Sequence, residues 1–272
     1  MNDWTYVTDL VSTSPTDPTA PARRRGIHLT TPGVAALALL ITAGSAGCVA
    51  APDTGGEGAP EPTAEATGEL TFFPSTCAQV ATAAATPLDD GEYLLFVGAD
   101  STKPWVAYCL GMSGATPTEY LTLHRTGANG NYSQYTAGGS SLGVSALSSY
   151  TKVRIDPVHL SIDSSDQTFS TASGLVHHGG TNVTSMPYGV AMSCDNQPSG
   201  VGNIDLRGTP FAVSPNAFVL GGGSPQGGAV YVLNNQLVGL TGGGGCGYLQ
   251  PSPGVFNPFN SAGETTLTLV HL

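Results

Sequence analysis

Short apolar or alternating runs, separated by clusters of Gly, Pro, Asn and Ser, fill the chain from Leu70 to its end. The runs recur at a spacing of about ten residues, which is typical of the strands of an all-β sandwich or barrel. Some alternate with a period of two, as in residues 152–156 (Lys-Val-Arg-Ile-Asp), and this pattern buries one face of a strand and leaves the other in water. We therefore predict an all-β fold over residues 69–272: a single disulfide-bonded sandwich or barrel-like domain of about ten short strands.

The frequency of Gly and Pro supports this prediction. The 272 residues include 37 Gly and 20 Pro, and only 10% are charged, so long helices are not expected. Two Gly-rich segments, 221–223 and 242–245, are predicted to be turns with positive φ, because neither has the following helix and Lys-Ser/Thr pair of a phosphate-binding loop. The candidate strands are residues 92–97, 105–110, 120–124, 152–155, 159–163, 188–194, 204–206, 218–221, 229–233, 237–240 and 265–272.

The N-terminal part of the chain is typical of an export signal. A basic cluster, Arg23 to Arg25, precedes the apolar stretch 34–43, and small residues then lead to Cys48. The apolar stretch is about ten residues long, about half the length needed to cross a bilayer. Residues 1–47 are therefore predicted to be a signal peptide with a long N-terminal region ahead of the apolar stretch, and the general and twin-arginine export routes both stay open.

A lipid anchor and a linker are predicted after the signal. The Ser-Ala-Gly-Cys sequence that ends at Cys48 is similar to a bacterial lipobox, whose cysteine is lipidated and becomes the new N-terminus. Ser45 stands where that motif usually has an aliphatic residue, so cleavage by an ordinary signal peptidase nearby is the alternative. Residues 50–69 contain no aromatic residue and no Ile, Leu or Val. Because such a segment cannot bury a core, residues 48–68 are predicted to form a disordered acidic linker behind the anchor.

The cysteine count agrees with an anchored, exported protein. The chain has five Cys, and the cysteines of an exported protein normally pair. Cys48 is the natural odd one, which leaves Cys77, Cys109, Cys194 and Cys246 to form two disulfides with three possible connectivities. We choose Cys77 with Cys109 and Cys194 with Cys246. The spacing contains no CxxC or CxxH, and a structural zinc site is the alternative.

The charge of the chain argues against nucleic-acid binding. Acidic residues number 19 against 8 basic ones, and three of the basic residues lie together at 23–25. The mature part is therefore acidic, and a polyanion would be repelled at long range. Contact with a membrane is expected only through the lipid anchor.

The sequence lacks a complete catalytic motif. HExxH does not occur. Residues 139–143 (Gly-Ser-Ser-Leu-Gly) match GxSxG, but this Gly- and Ser-rich segment lacks the flanking strand and helix signals of a nucleophile elbow, so we predict no catalytic residue and no cofactor. His177 and His178 are adjacent, but neighbours on an extended chain point to opposite faces, so the pair cannot chelate one ion well. Asp163 and Asp166 could supply oxygen ligands to calcium, although their position in a turn explains them as well. These four residues are the candidate ligands for zinc or calcium.

Aromatic residues and glycosylation sequences add little to the functional prediction. Trp105 and Tyr108 lie three apart on one candidate strand and so face opposite sides, which places at most one of them in the core. An exposed aromatic residue could bind a glycan or a protein. The sequences that begin at Asn131 and Asn182 match the N-glycosylation pattern, and we interpret both as incidental behind a bacterial-type leader.

Seven segments carry a family resemblance. In order they are residues 90–93 (Asp-Gly-Glu-Tyr), 106–112 (Val-Ala-Tyr-Cys-Leu-Gly-Met), 119–123 with 131–133, 151–156 (Thr-Lys-Val-Arg-Ile-Asp), 187–191 (Pro-Tyr-Gly-Val-Ala) with Cys194, 203–209 (Asn-Ile-Asp-Leu-Arg-Gly-Thr) and 245–247 (Gly-Cys-Gly). Together they resemble the GON domain, the C-terminal module of certain ADAMTS metalloproteases. The animal domain is richer in Cys and more basic, so its partner surfaces are not carried over. The resemblance implies an extracellular, disulfide-bonded accessory domain without peptidase activity of its own.

The functional prediction joins the export signal, the linker and the resemblance. We expect an exported, non-catalytic module that recognises an extracellular protein or polysaccharide. Its location is the cell surface, the outer membrane or periplasm as a lipoprotein, or the secreted fraction. One alternative is an accessory domain linked to zinc metalloendopeptidase activity, or an unrecognised metal-dependent hydrolase. Another is a structural contribution to the cell envelope without a specific ligand.

Overall fold

Strands dominate the described part of the chain. The computed structural model describes residues 72–127, 130–138, 144–253 and 265–272, all within the unit Ala66–Leu272. These ranges contain one α-helix, one short 3₁₀ helix and eighteen strands, and the predicted all-β class is confirmed. None of the helices in these ranges has the length and apolar character needed to span a bilayer. The predicted signal peptide, Cys48 and the linker lie outside the described residues and stay predictions.

Within these ranges the α-helix precedes all of the strands. In chain order the elements are α1 (Cys77–Ala83), β1 (Gly91–Phe96), the 3₁₀ helix (Val97–Ala99), β2 (Pro104–Leu110), β3 (Thr118–Thr122), β4 (Tyr132–Thr136), β5 (Ser145–Tyr150), β6 (Lys152–Asp156), β7 (Ser161–Asp163), β8 (Ser170–Gly174), β9 (Val176–His178), β10 (Thr181–Val183), β11 (Ala191–Ser193), β12 (Gly200–Asp205), β13 (Phe211–Val213), β14 (Phe218–Gly221), β15 (Gln226–Val232), β16 (Leu237–Gly243), β17 (Gly247–Pro251) and β18 (Thr266–His271).

The structure has more strands than the ten or so predicted, because several are very short or weakly apolar. Five of the eighteen, among them β7 and β9, have three residues, which is too short for an alternation to be seen. The longer alternating runs form strands with one buried and one exposed face, as β6 shows. In β6 the side chains of Val153 and Ile155 are each 2% exposed, while those between and beside them reach solvent.

Two large sheets and one small hairpin sheet make up the fold. One large sheet has seven strands in the order β1-β2-β3-β6-β7-β18-β13, and every neighbouring pair in it is antiparallel. The other follows the order β14-β17-β11-β4-β12-β16-β15, with β5 on β4 and β8 on β5. Its β11–β4 pair is parallel. The two sheets form a half-barrel and a nearly closed barrel. The small sheet is the β9–β10 hairpin.

Glycine permits a close approach of strands at the end of β16. The sequence predicted residues 242–245 to be a turn, but Gly242 and Gly243 belong to the strand. A Cβ on Gly242 would lie 2.1 Å from the carbonyl oxygen of Ala191, so no other residue fits there without moving the backbone. Gly244 and Gly245 do have positive φ, as predicted for a turn.

The hydrophobic core has a larger and a smaller part. The larger cluster contains buried side chains from both large sheets, such as Trp105, Ile155 and Leu240. The smaller cluster includes Tyr135 and Met192, and Cys194 and Cys246 pack against it. Because buried residues from both sheets meet in the larger cluster, the sheets stabilise each other by burying a common apolar surface.

A fully buried asparagine links three segments by hydrogen bonds. Asn131 has no exposed surface, and its Nδ2 donates to the carbonyl oxygens of Arg125 and Asp205. Its Oδ1 accepts from the Tyr188 hydroxyl at 2.6 Å and from the Asp205 backbone N–H at 2.7 Å. All four hydrogen-bonding positions of the amide are therefore used. The side chain is inaccessible in the fold, in agreement with the interpretation of its glycosylation sequence as incidental.

Both pairs of cysteines chosen from the sequence are disulfide-bonded in the structure. Cys77–Cys109 joins the first residue of α1 to β2, and Cys194–Cys246 joins the end of β11 to the loop before β17. Thr76 caps α1 by accepting from the Gln79 backbone N–H, and this fixes the start of the helix where the first disulfide attaches.

Candidate functional site

The two adjacent histidines of the β9–β10 hairpin point in different directions. His177 is exposed, and its Nδ1–H donates to Asn182 Oδ1 across the hairpin at 2.6 Å. The partly buried His178 points towards the smaller core cluster and shares a hydrogen bond with the Tyr135 hydroxyl. The alternation of side chains along an extended strand explains this division. The pair therefore cannot bind one ion together.

His178 instead lies beside the second disulfide. Its Nδ1 is 3.5 Å from Cys194 Sγ, and the Tyr135 hydroxyl oxygen is 3.0 Å from the same sulfur. In the described part of the chain, the one group of three or more His, Cys, Asp or Glu side chains that could hold a metal ion is His178, Cys194 and Cys246, whose ligand atoms all lie within 4.8 Å of one another. We name His178, Tyr135, Cys194 and Cys246 the histidine–disulfide cluster.

Burial keeps the two titratable members of the histidine–disulfide cluster neutral. It lowers the pKa of His178, because the charged imidazolium is poorly solvated there. Burial also raises the pKa of Tyr135 to about 12, because the charged phenolate is poorly solvated there. At neutral pH the sulfur of Cys194 is thus adjacent to an uncharged imidazole and an uncharged phenol.

The aspartates that were candidate calcium ligands are engaged in local turns. Asp163 Oδ1 accepts from the backbone N–H and the hydroxyl of Ser165, at 3.0 and 2.6 Å. Asp166 Oδ1 accepts from the Thr168 backbone N–H at 2.9 Å. A carboxylate that bonds to a group two residues further along is the usual geometry of an Asx turn. The structure does not bring either aspartate into the histidine–disulfide cluster.

A cleft of about 710 Å³ lies where the pairing of β2 and β3 stops. The two strands pair from Leu110 and Thr118 as far as Ala107 and Leu121, and the loop before β13 approaches beyond that point. We name this space the β2–β3 cleft. Its lining consists of Glu92, Pro104, Trp105, Val106, Leu121, Thr122, His124, Gly208, Thr209 and Pro210.

The β2–β3 cleft has an apolar rim, and two of its lining residues carry a buried polar atom. Trp105 Nε1 and Thr122 Oγ1 are buried and have no hydrogen-bond partner among the described residues. Buried polar groups without partners are rare in folded proteins, because each costs about 1–3 kcal/mol. On the outer face of the sheet, Leu94 and Val106 stand opposite each other and are 53% and 52% exposed. The rim therefore offers a pair of apolar side chains next to the cleft.

The two aromatic residues of β2 are both occupied within the domain. Trp105 is only 2% exposed and packs edge to face against Phe211, with ring centroids 5.3 Å apart. Tyr108 lies on the opposite face, where it packs against Phe169 and under the Lys152 ammonium group. One of the two is thus in the core, and neither is a free platform for a sugar ring.

A second, polar cleft of about 470 Å³ contains a carboxyl group with a perturbed pKa. Burial raises the pKa of Glu119, although the Cys77 backbone N–H donates to its Oε1 at 2.7 Å. A raised carboxyl pKa in a cleft can indicate a general acid, but here the side chain binds the first turn of α1. The role of Glu119 is to hold the helix on β3.

Comparison with known families gives one match. A family model described as the GON domain matches residues 74–141 and 137–256. No curated protein and no solved structure matches the chain. The matched ranges contain all seven segments that carried the resemblance in the sequence, together with the β2–β3 cleft and the histidine–disulfide cluster.

Proposed function

The chain belongs to the GON domain family, and we propose that it is an exported, non-catalytic module that recognises an extracellular protein through the β2–β3 cleft. GON domains are non-catalytic modules, which supports a binding role over an enzymatic one. The observation that carries the proposal is a cleft of about 710 Å³ whose rim includes the exposed apolar side chains of Val106 and its cross-strand neighbour Leu94.

The chemistry of the cleft favours a segment of a protein. The exposed Leu94 and Val106 suit an apolar side chain of the same segment, and apolar contacts of this kind form the centre of many interfaces. A polysaccharide would supply hydroxyl groups but no apolar side chain for the rim.

Charge adds a preference among proteins. The whole chain has a formal net charge of −11, and the exposed Glu92 is one of the residues that line the cleft. Complementary potentials accelerate association and exclude like-charged partners. A partner with a basic surface around an apolar segment is therefore the expected class.

The test compares two exposed valines on different sheets. Full-length protein is used to capture partners from the envelope and culture medium of the producing cells, and each captured protein is then purified and its Kd measured. Val106→Glu should weaken binding at least about tenfold, because it places a charge in the centre of the apolar rim. Val230→Glu is the matched control, since Val230 is 67% exposed on β15, outside the cleft lining.

If both variants lose binding equally, or if neither variant loses binding, the assignment of the cleft as the binding site is contradicted. If the parent protein binds a polysaccharide on an array and Val106→Glu abolishes that binding, the partner of the cleft is a glycan and not a protein. Digestion of a peptide panel by the pure, metal-loaded protein would contradict the non-catalytic role. Cys48 and the export signal are tested separately by intact mass of the protein from the native membrane fraction, where a diacylglycerol-sized increment on Cys48 is expected.

A further inference from the structure

We propose that opening the Cys194–Cys246 disulfide creates a zinc site whose ligands are the two thiolates and the imidazole of His178. Thiolate sulfur and imidazole nitrogen are the ligands that Zn²⁺ prefers, and a Cys₂His set leaves one of four tetrahedral positions for water. The inference is independent of the proposed binding partner, because the histidine–disulfide cluster and the β2–β3 cleft share no residue.

The spacing of the donor atoms already suits a zinc ion. With zinc–sulfur and zinc–nitrogen bonds of about 2.3 and 2.0 Å, a tetrahedral site separates the sulfur and nitrogen by about 3.5 Å. The distance between His178 Nδ1 and Cys194 Sγ is 3.5 Å. One edge of the tetrahedron therefore has the correct length before the disulfide opens. Zinc binding requires His178 Nδ1 to give up its hydrogen bond with the Tyr135 hydroxyl, whose oxygen is 3.0 Å from Cys194 Sγ.

The third ligand must move, and its surroundings leave room for this. Two sulfurs bound to one zinc ion are separated by about 3.8 Å, so they must part once the bond between them is broken. Cys246 lies in the loop between β16 and β17, beside Gly245. A Cβ on Gly245 would meet no atom nearer than 4.0 Å, so there is open space beside this residue, while its backbone N–H and that of Gly244 donate to the Asp195 carbonyl oxygen at 2.8 and 3.1 Å.

The remaining contacts are those expected around a zinc ligand. The Tyr135 hydroxyl is 3.0 Å from Cys194 Sγ and can donate a hydrogen bond to the thiolate. Outer contacts of this kind orient metal ligands and stabilise their charge. Tyr135 is itself 1% exposed in the smaller core cluster, whose Met186 and Met192 are fully buried, so the inner side of the site is closed to water.

The electron and proton balance requires a reductant of the dithiol class. Its two thiols become one disulfide, the Cys194–Cys246 bond is cleaved, and two protons and two electrons pass to the cysteine sulfurs. Zinc then displaces the two thiol protons as it binds. Cys194 and Cys246 are partly exposed, whereas Cys77 and Cys109 are each 0% exposed, so a reductant in solution reaches the second disulfide first.

The experiment uses the full-length protein with Cys48→Ser, so that no other free thiol is present. Mild reduction with a phosphine, alkylation and peptide mass mapping identify which disulfide has opened. The reduced and oxidised proteins are then titrated with Co²⁺, whose thiolate charge-transfer absorption reports sulfur ligation, and with Zn²⁺ in competition against a chelator. We expect one equivalent of metal in the reduced protein, thiolate absorption, and neither signal in the oxidised protein.

Variants of the two neighbouring histidines decide the ligand set. His178→Gln should weaken zinc binding by at least about tenfold, while His177→Gln, the matched control on the other face of β9, should bind as the parent does. Equal effects of the two substitutions, or binding that persists in Cys194→Ser/Cys246→Ser, would overturn the proposal. Loss of structure on reduction that zinc does not reverse would also overturn it, whereas refolding with one bound zinc would support it.

Discussion

The two disulfides occupy opposite environments. Cys77 and Cys109 are 0% exposed and belong to the larger hydrophobic core, where Ile155 and Leu240 are also found. Cys194 and Cys246 are partly exposed and pack against the smaller cluster. The sequence separations of the pairs are 32 and 52 residues, so loop closure alone would make the second disulfide more stabilising by about 0.4 kcal/mol.

The difference shows that position in the core, and not loop length, separates a structural cross-link from a chemically accessible one. The first disulfide contributes buried volume to the core in addition to restricting the unfolded chain. The second has a histidine and a tyrosine hydroxyl next to one of its sulfurs, so its surroundings can respond to a change of redox state. Three predictions sharpen this comparison.

The largest expected effect concerns removal of each disulfide. Cys77→Ala/Cys109→Ala should cost about 4–5 kcal/mol of unfolding free energy, since it leaves a cavity in the core as well as freeing a loop. Cys194→Ala/Cys246→Ala should cost about 2–3 kcal/mol, because solvent and the loop can fill the space. Urea denaturation of both double variants under oxidising conditions measures the difference. The comparison fails if the second pair costs as much as the first.

A smaller effect is expected from two hydroxyl deletions at matched, buried tyrosines. Tyr188 is 0% exposed and donates to Asn131 Oδ1 at 2.6 Å, while Tyr135 is 1% exposed and lies beside Cys194. Tyr188→Phe should cost about 1.5 kcal/mol, because the fixed asparagine loses a partner, and Tyr135→Phe about 0.5–1 kcal/mol. Urea midpoints give both values, and a larger loss at Tyr135 would show that the histidine–disulfide cluster contributes more to folding than we infer.

The smallest effect is a pH dependence near the first disulfide. Burial raises the pKa of Glu119, which accepts from the Cys77 backbone N–H. The folded state therefore binds the carboxyl proton of Glu119 more tightly than the unfolded state, and this stabilises the fold at low pH. The stabilisation is lost as the pH rises from the glutamate pKa of the unfolded chain through the raised pKa of the folded protein. Glu119→Gln keeps an acceptor oxygen and does not titrate.

The variant should thus gain stability relative to the wild type as the pH is raised from about 4, near the ordinary glutamate pKa, towards neutral pH. Thermal melting of both proteins across this range measures the difference between them. A difference that stays constant, or that falls with rising pH, would show that burial does not control the carboxyl of Glu119.

Some elements of the fold could be read from local sequence. The run Lys152–Asp156 is a strand with the predicted inward residues, and Thr266–His271 lies within the predicted range 265–272. The predicted strand 159–163 begins only at Ser161, because Leu160 has φ of +50° and ends a turn. The strands β4 and β5 were missed. Their sequences are rich in Ser, Thr, Gln and Tyr, and they are strands because their neighbours supply the hydrogen bonds.

The candidate sites were harder to predict. His177, His178, Asp163 and Asp166 were named together as candidate metal ligands, yet the structure separates the aspartates from the histidines and assigns them to turns. Tyr135 had no signal in the sequence, since it contacts Cys194 across 59 positions. The β2–β3 cleft was also missed, because it depends on where the pairing of two strands stops and on a loop about 90 positions further along the chain.

The sequence by itself determined the all-β class, the alternation of buried and exposed positions and the family, because strand periodicity, turn residues and ordered motifs are local properties of a chain. It also contained the four cysteines of the two disulfides. Only the tertiary structure decided that one pair is sealed in the core while the other lies beside His178 and Tyr135. The reason is physical: burial, pKa and distances between side chains depend on which segments pack together, and short strands in large sheets bring together residues that are far apart in sequence.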